Sequence, residues 1–320
     1  MGLGLSMSPV RASVVLLTYN QEAFVQEALQ SLLDQDYDDL EIVVSDDCSL
    51  DSTWEIIRQT VAKYTGPKRV ILNKNEINLG IVGNYFKAFS FVSGDVIFTA
   101  AGDDVSLPTR CSACVAYWLS SGCKFDLIAC DGYDMSLNGQ VLGVKQTDDL
   151  EKWDMSCWAE KRPFMFGASH MMTKRLLQLR ELDAKLKVED QCLLFRALLM
   201  GGARRLAQPL VKHRRGGVSQ INNNWTYFSK KEALIASAEQ NLLEICEMEK
   251  DAFLCQKSAE IFLSKERAQS DFIVRLLRSG NNMSALKILM STNRVRFDRK
   301  VKYFSFVFFS PIYRFIFYIK

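Results

Sequence analysis

Gly94-Asp95-Val96-Ile97-Phe98-Thr99-Ala100-Ala101-Gly102-Asp103-Asp104-Val105-Ser106-Leu107-Pro108 is the stretch on which the fold of this chain turns. Val96 to Ala101 is a short apolar run, as expected of a strand buried on both faces. Gly102 breaks it, two adjacent carboxylates follow, and Pro108 stops an immediate return to regular structure. In open α/β sheets, ligands bind outside the carboxyl ends of the strands. Paired aspartates buried at such a place without a cation or hydrogen bonds are costly. Their hard oxygens suit Mg2+ or Mn2+, metals that usually arrive with phosphates. Taken alone, the stretch reads more simply as a strand and an Asp-rich turn.

The residues before it change that balance. Ser13-Val14-Val15-Leu16-Leu17 is a second buried strand, ended by Thr18-Tyr19-Asn20. Phe24, Val25, Ala28, Leu29, Leu32 and Leu33 then recur at helical spacing. Leu40 to Val44 is another strand, followed by Ser45-Asp46-Asp47-Cys48-Ser49-Leu50-Asp51-Ser52-Thr53. Asp51 or Ser52 can cap the helix that carries Trp54, Ile57, Val61 and Tyr64. Val70-Ile71-Leu72 reads as a strand, Asn78-Leu79-Gly80 as a turn and Asn84 to Val92 as a helix. Alternating strands and helices predict a mostly parallel, doubly wound sheet. Thr18/Tyr19/Asn20, Asp46/Asp47 and Asp103/Asp104 then fall on one sheet edge and form a single site. No Gly-x-Gly-x-x-Gly follows the first strand and no Gly-Lys-Ser/Thr occurs, which argues against dinucleotide-binding and P-loop chemistry.

Composition narrows the class further. A chain of 320 residues holds one large domain, or one domain with an appendage. The formal charge of +3 is too small to argue for nucleic acid. Nine cysteines are scattered singly apart from Cys111/Cys114, which no second pair or nearby histidine completes as a zinc site. Unpaired cysteines favour a reducing compartment, and Met1 to Val10 has no signal-peptide pattern, so a cytoplasmic location is expected.

Four motifs in order carry a family resemblance: Val-Val-Leu-Leu-Thr-Tyr-Asn, Ile-Val-Val-Ser-Asp-Asp-Cys-Ser-Leu-Asp-Ser-Thr, Asn-Leu-Gly and Gly-Asp-Asp-Val-Ser-Leu-Pro. Together they resemble the inverting glycosyltransferases of family 2, of the bacterial polysaccharide type, with the GT-A fold. The likeness is close over residues 11–110 and looser to about residue 220. It implies a GT-A domain over 11–220 with a Rossmann-like, mostly parallel sheet flanked by helices, and the pattern of 221–320 reads separately as a helical C-terminal region. The likeness also implies a nucleotide-sugar donor and a divalent cation, Mg2+ or Mn2+. Tyr19 would lie near the base with Asn20 in the same nucleotide pocket, and Asp47 would accept a hydrogen bond from base or ribose. Asp46 is assigned to the same pocket, chiefly as support for the turn. Asn78 and Asn84 match positions near the nucleotide sugar. Asp103 matches the metal-binding aspartate of Asp-x-Asp, with Asp104 beside it. The first aspartate of that motif falls at Ala101 here, a departure that bears on metal affinity.

In the second half, Cys111 to Leu119 reads as a helix, Asp126 to Cys130 as a strand and 131–162 as polar turns with Trp153 and Trp158. Phe164-Met165-Phe166-Gly167-Ala168-Ser169-His170 resembles the family's acceptor-side strand. Val188-Glu189-Asp190-Gln191 opens an apolar helix, where acidic residues suit the helix dipole. The resemblance assigns Asp190 as general base and Glu189 as its support. Val211 to Ser219 resembles the following loop, in which Arg214 would neutralise a departing diphosphate and His213 would reach the metal. An exposed basic turn is as good a reading for His213, and His170 is read as a satisfied core or surface histidine.

Trp225 to Met290 has helical periodicity. Arg294, Arg296, Arg299, Lys300 and Lys302 then precede an aromatic run ending at Lys320, interrupted by Pro311 and Arg314. That run is too short for a membrane span. Basic residues before aromatics suit the surface of an anionic membrane, the favoured reading, and a docked helix is the alternative. The expected function is sugar transfer from a nucleotide sugar to a glycan or lipid-linked glycan acceptor. Competing readings are a sugar-phosphate nucleotidyltransferase, which would want a glycine-rich basic loop after the first strand, and a silent glycan- or nucleotide-binding protein.

Overall fold

The computed structural model describes residues 10–158, 160–216, 226–279, 281–292 and 294–313. Its first part alternates β1 Ala12–Thr18, α1 Val25–Leu33, β2 Leu40–Asp46, α2 Thr53–Ala62, β3 Arg69–Lys74, α3 Gly80–Phe89 and β4 Val96–Ala101. There follow β5 Val105–Ser106, α4 Arg110–Ser120, β6 Leu127–Met135, β7 Val141–Lys145, α5 Met155–Trp158, β8 His170–Thr173, α6 Lys174–Gln178, α7 Asp190–Leu199 and β9 Ala203–Arg214. The sheet runs β3-β2-β1-β4-β8-β6-β9-β5, with β7 paired on β6. Strands β3, β2, β1 and β4 are mutually parallel, as the alternation predicts. β8 runs against both β4 and β6.

Hydrophobic burial explains why β1 and β4 are central. Val14, Val15, Leu16, Val96, Ile97 and Phe98 are fully buried, and each such side chain contributes about 1.5–3 kcal/mol on leaving water. α1 lays Val25, Ala28, Leu29, Leu32 and Leu33 on the same core, the i, i+3, i+4 stripe read from sequence. Cys111 and Cys114 are buried on α4 as core residues. The register sets Thr18 beside Asp46 and Leu17 beside Ala101, so the polar strand ends do share one edge.

Three local expectations are corrected. α3 begins at Gly80 rather than Asn84, because the Asp47 carboxylate accepts from the Leu79 and Gly80 amides and so satisfies the helix's first donors from another loop. The acceptor-side strand begins at His170. Before it, Ser169 hydrogen-bonds the Phe166 carbonyl in a tight turn over Gly167–Ser169. Val211 to Arg214 is strand, not loop, because β9 pairs with both β6 and β5.

The described residues fall into two compact units, one within Met1–Asp154 and Pro163–Gln220 and the other within Met155–Arg162 and Ile221–Lys320. The second carries α8 Tyr227–Leu254, α9 Glu260–Leu277, α10 Asn282–Ser291 and α11 Phe297–Phe308. Thr226 and Ser229 cap α8 reciprocally. Tyr227, Ile235, Phe272, Leu276, Ala285, Tyr303 and Phe306 form its core. Residues 314–320, the end of the aromatic run, lie outside the described residues. Among the described residues no helix is long and apolar enough to cross a membrane.

Candidate functional site

The edge at the ends of β1 and β2 is a dense hydrogen-bond network. Asp46 is fully buried and accepts from Thr18 Oγ1 (3.1 Å), the Ser49 amide (3.0 Å) and Ser49 Oγ (2.5 Å). Asn84 is also buried, bonded to Ser45 Oγ, the Ser45 carbonyl and Asn75 Nδ2. Both side chains hold the loops together beneath the edge. For Asp46 this is the supporting role read from sequence. For Asn84 it corrects the expectation of a place beside a nucleotide sugar. Asp47 Oδ1 accepts from Asn75 Nδ2 and the Leu79 amide, and Oδ2 from the Gly80 amide. Tyr19 is half-buried, and Asn20 and Asn78 are exposed. Asn20 stands at φ 50°, and its Oδ1 accepts from the Leu50 amide, tying the two strand-end loops together. The Asn78 carboxamide oxygen accepts from the Gly80 amide at 3.0 Å.

Past β4 the chain turns at Gly102, where a Cβ would stand 2.4 Å from Gln21 Oε1 and 2.9 Å from Thr18 Cγ2, so any larger residue there would displace the Gln21 and Thr18 side chains. Asp103 is half-buried, while Asp104 is buried with Oδ1 accepting the Arg214 amide at 2.8 Å. Burial, then the charge of Asp103, pushes the Asp104 carboxyl up to about 7. Two carboxyls that resist ionising together, with hard oxygens on a strand end, fit a divalent cation.

Arg214 and His213 are corrected. The Arg214 side chain is 2% exposed and spends its donors inside the protein. Nε donates to the Asp103 carbonyl (2.9 Å), Nη1 to the Leu137 carbonyl (2.9 Å) and Nη2 to Glu27 (2.6 Å), with Phe24 beneath the guanidinium at 4.5 Å. It clamps the acidic turn and is not poised for a diphosphate. His213 Nδ1 lies 2.9 Å from Lys145 Nζ, and the ring packs edge-on to Phe166. Burial, then Lys145, pushes its pKa down to about 4, so the ring is neutral and its Nδ1 accepts from the ammonium. Among the described residues no three His, Cys, Asp or Glu side chains converge as a metal cluster, and the observed polar neighbours of His213 are Lys145 and Asp134.

Asp190 occupies the first turn of α7 and its side chain is 20% exposed. A Cβ at Gly167 would stand 3.2 Å from Asp190 Oδ1 and 3.4 Å from Oδ2, so the carboxylate packs directly on the glycine backbone. Glu189 is buried, and burial pushes its carboxyl up to about 7. Tyr85 is buried in α3, its hydroxyl held protonated first by burial and next by the charge of Glu189.

Lys145 is not among the residues expected from sequence, since 131–162 reads as polar turns. The signal was the short apolar run Val141-Leu142-Gly143-Val144 leading into it. Its ammonium lies 3.6 Å from Asp134 Oδ1, and the charge of Asp104 also acts on it. Gly167 was legible as a glycine inside a strand-like run, a mark of close backbone approach.

The family profile described as "Glycosyl transferase family 2" matches residues 13–179. The chain is 35% identical over 107 residues to EpsE of Bacillus subtilis, which carries a provisional glycosyltransferase name, covering 33% of this chain and 38% of that protein. It is 28% identical over 176 residues to the uncharacterized glycosyltransferase MJ1057 of Methanocaldococcus jannaschii, covering 54% and 59%. The chain thus spans less than two thirds of these relatives. Among solved structures, Staphylococcus aureus TarS 1-349 in complex with UDP is similar with a TM-score of 0.56 at 15% identity, covering 95% of this chain and 89% of that one. The mannosyltransferase PcManGT from Pyrobaculum calidifontis, in complex with GDP-Man and Mn2+, is similar with a TM-score of 0.53 at 14% identity, covering 96% and 88%. At these identities the likeness is one of fold, and that fold is GT-A-like.

Proposed function

The chain belongs to glycosyltransferase family 2, and from that premise we propose that it moves a sugar from a nucleotide sugar to a hydroxyl of a glycan or lipid-linked glycan, with inversion. The observation that carries this reading is one edge presenting paired carboxyls, Asp103 and Asp104, in the same unit as Asp190 at the start of α7. Tyr19, Asn20 and Asn78 line the donor end, and Asp47 shapes it by holding the Leu79-Gly80 turn. Asp103 and Asp104 would hold a divalent cation, which supplies counter-charge for a diphosphate. Asp190 takes the acceptor hydroxyl's proton as that oxygen bonds to the anomeric carbon. The bond from that carbon to the diphosphate oxygen breaks in the same step, and the leaving group departs with its electron pair. Glu189 supports Asp190.

The reading includes peripheral contact with an anionic membrane. On α11, Phe297, Val301 and Phe308 are 81%, 49% and 43% exposed and follow helical spacing, on the side opposite the buried Tyr303 and Phe306. Exposed Arg299 and Lys302 supply positive charge on the same helix.

The test is thermal stabilisation by UDP, UDP-sugars and GDP-sugars with and without Mn2+, followed by turnover of any donor that binds. Asp103→Asn should lose the Mn2+-dependent part of the stabilisation. Asp190→Asn should keep donor affinity and lose about 10² to 10⁴ in transfer rate. Transfer at the parent rate by Asp190→Asn would refute the assignment of the base.

A further inference from the structure

His170 stands where a satisfied core histidine was expected, yet it is not satisfied. It is fully buried, and neither ring nitrogen has a hydrogen-bond partner among the described residues. Its backbone is fixed, because β8 is paired with β6 at Ala129–His170 and with β4 one residue on. Its carbonyl also accepts from Arg110 Nη2 at 3.2 Å. The backbone that carries the ring is thus held in place, and buried polar atoms of this kind call for an explanation. The nearest charged oxygen is Asp190 Oδ1, 3.8 Å from Nδ1. Oδ1 is itself buried, while the Asp190 side chain as a whole is 20% exposed. Gly167 closes the other side, within 3.4 Å of both oxygens for a built Cβ. The carboxylate is thus confined between a glycine backbone and an imidazole.

We propose that His170 is the positioning residue of Asp190: its Nδ1–H donates to the inner Oδ1 and so presents Oδ2 to the acceptor hydroxyl. This rests on the reading of Asp190 as general base. Burial, then the charge of Arg110, holds the ring neutral, with its pKa down to about 3, so the ring carries one proton to place. Closure by about 1 Å gives a charge-assisted hydrogen bond, and such bonds tighten when substrate fills a site. The other charged and titratable groups around this pair are Tyr85 on α3, Glu189 on the approach to α7, Arg196 on α7 and Arg110 on α4. The bond would favour the ionised carboxylate and keep Asp190 a base at lower pH.

The chain has only two histidines, His170 and His213, so nitrogen-15 imidazole spectra resolve the tautomer of each ring without any substrate. The expected result is His170 protonated on Nδ1, with that resonance displaced in Asp190→Ala. Protonation on Nε2, unaffected by Asp190→Ala, would overturn the proposal. In turnover, read as nucleoside diphosphate released from UDP-N-acetylglucosamine or GDP-mannose, His170→Phe should lower kcat roughly ten- to hundredfold, the scale of one hydrogen bond to a charged group. Donor affinity should hold and the acid limb of the pH profile should move upward. His170→Asn, whose amide nitrogen stands near the Nδ1 position, should recover most of the rate. A merely structural histidine would lower the melting temperature and leave the pH limb in place, and that outcome also overturns the proposal. Asp190→Asn inactive with His170→Phe at full rate removes the positioning role alone. Asp190→Asn at full rate removes the base assignment, and this role with it.

Discussion

Replacing Arg214 separates two accounts of the acidic turn. The family resemblance casts Arg214 as a partner of the departing diphosphate, whereas its side chain is 2% exposed and bonded to the Asp103 and Leu137 carbonyls and to Glu27. Arg214→Ala strips a donor from the Asp103, Ser136 and Leu137 carbonyls; Ser136 keeps the Gly139 amide, and the loss at the other two is about 1–3 kcal/mol each. The Glu27 carboxylate is 55% exposed, so its pair with Arg214 adds under about 1 kcal/mol. The amide of residue 214 still donates to Asp104, so that bond survives the change. A total of about 4 kcal/mol corresponds to a fall of roughly 8–16 °C in the melting temperature of a domain of this size. The assay is urea unfolding followed by far-UV circular dichroism, with nucleoside diphosphate affinity measured in parallel on protein that remains folded. Arg214→Lys should fall between, because one ammonium cannot reproduce the planar fork. An unchanged unfolding midpoint, together with a tenfold or greater loss of diphosphate affinity, would show that Arg214 faces the ligand and that the clamp is wrong.

Other outcomes follow from burial and exposure. Glu189 is held at about 7 against an ordinary 4.5, so the folded state binds more protons across that interval and stability falls as pH rises through it. Glu189→Gln should flatten this fall, leaving the same-signed share of Asp104, and an unchanged pH slope of the unfolding midpoint would refute the assignment. Substituting Phe297, Val301 and Phe308 together by serine should release the protein from phosphatidylserine vesicles without changing its melting temperature, since Tyr303 and Phe306 keep the core contacts of α11. Undiminished sedimentation with vesicles would dispose of the membrane face.

Periodicity in the first hundred residues determined the alternation of strands and helices. Runs such as Val14-Val15-Leu16 and Val96-Ile97-Phe98 are stable only when both faces are covered, and that requirement is written in the residues themselves. The same pattern put Thr18, Asp46 and Asp103 on one edge, because parallel strands in one sheet must end on the same side. What sequence did not carry is which polar groups face outward there. Asp46 and Asp47 are adjacent and chemically alike. Asp46 is satisfied by Thr18 and Ser49, while Asp47 reaches across to amides 79 and 80. Arg214 reads as a free cation until β9 pairs with β6 and β5 and brings it over Phe24. His170 and Asp190 stand twenty positions apart, and only the packing of β8 and Gly167 against α7 makes them neighbours. Local propensity follows from short-range sterics and burial, so it is legible residue by residue. The partner of a polar side chain is decided by which distant segment the fold sets against it, and that is known only once the tertiary structure is formed.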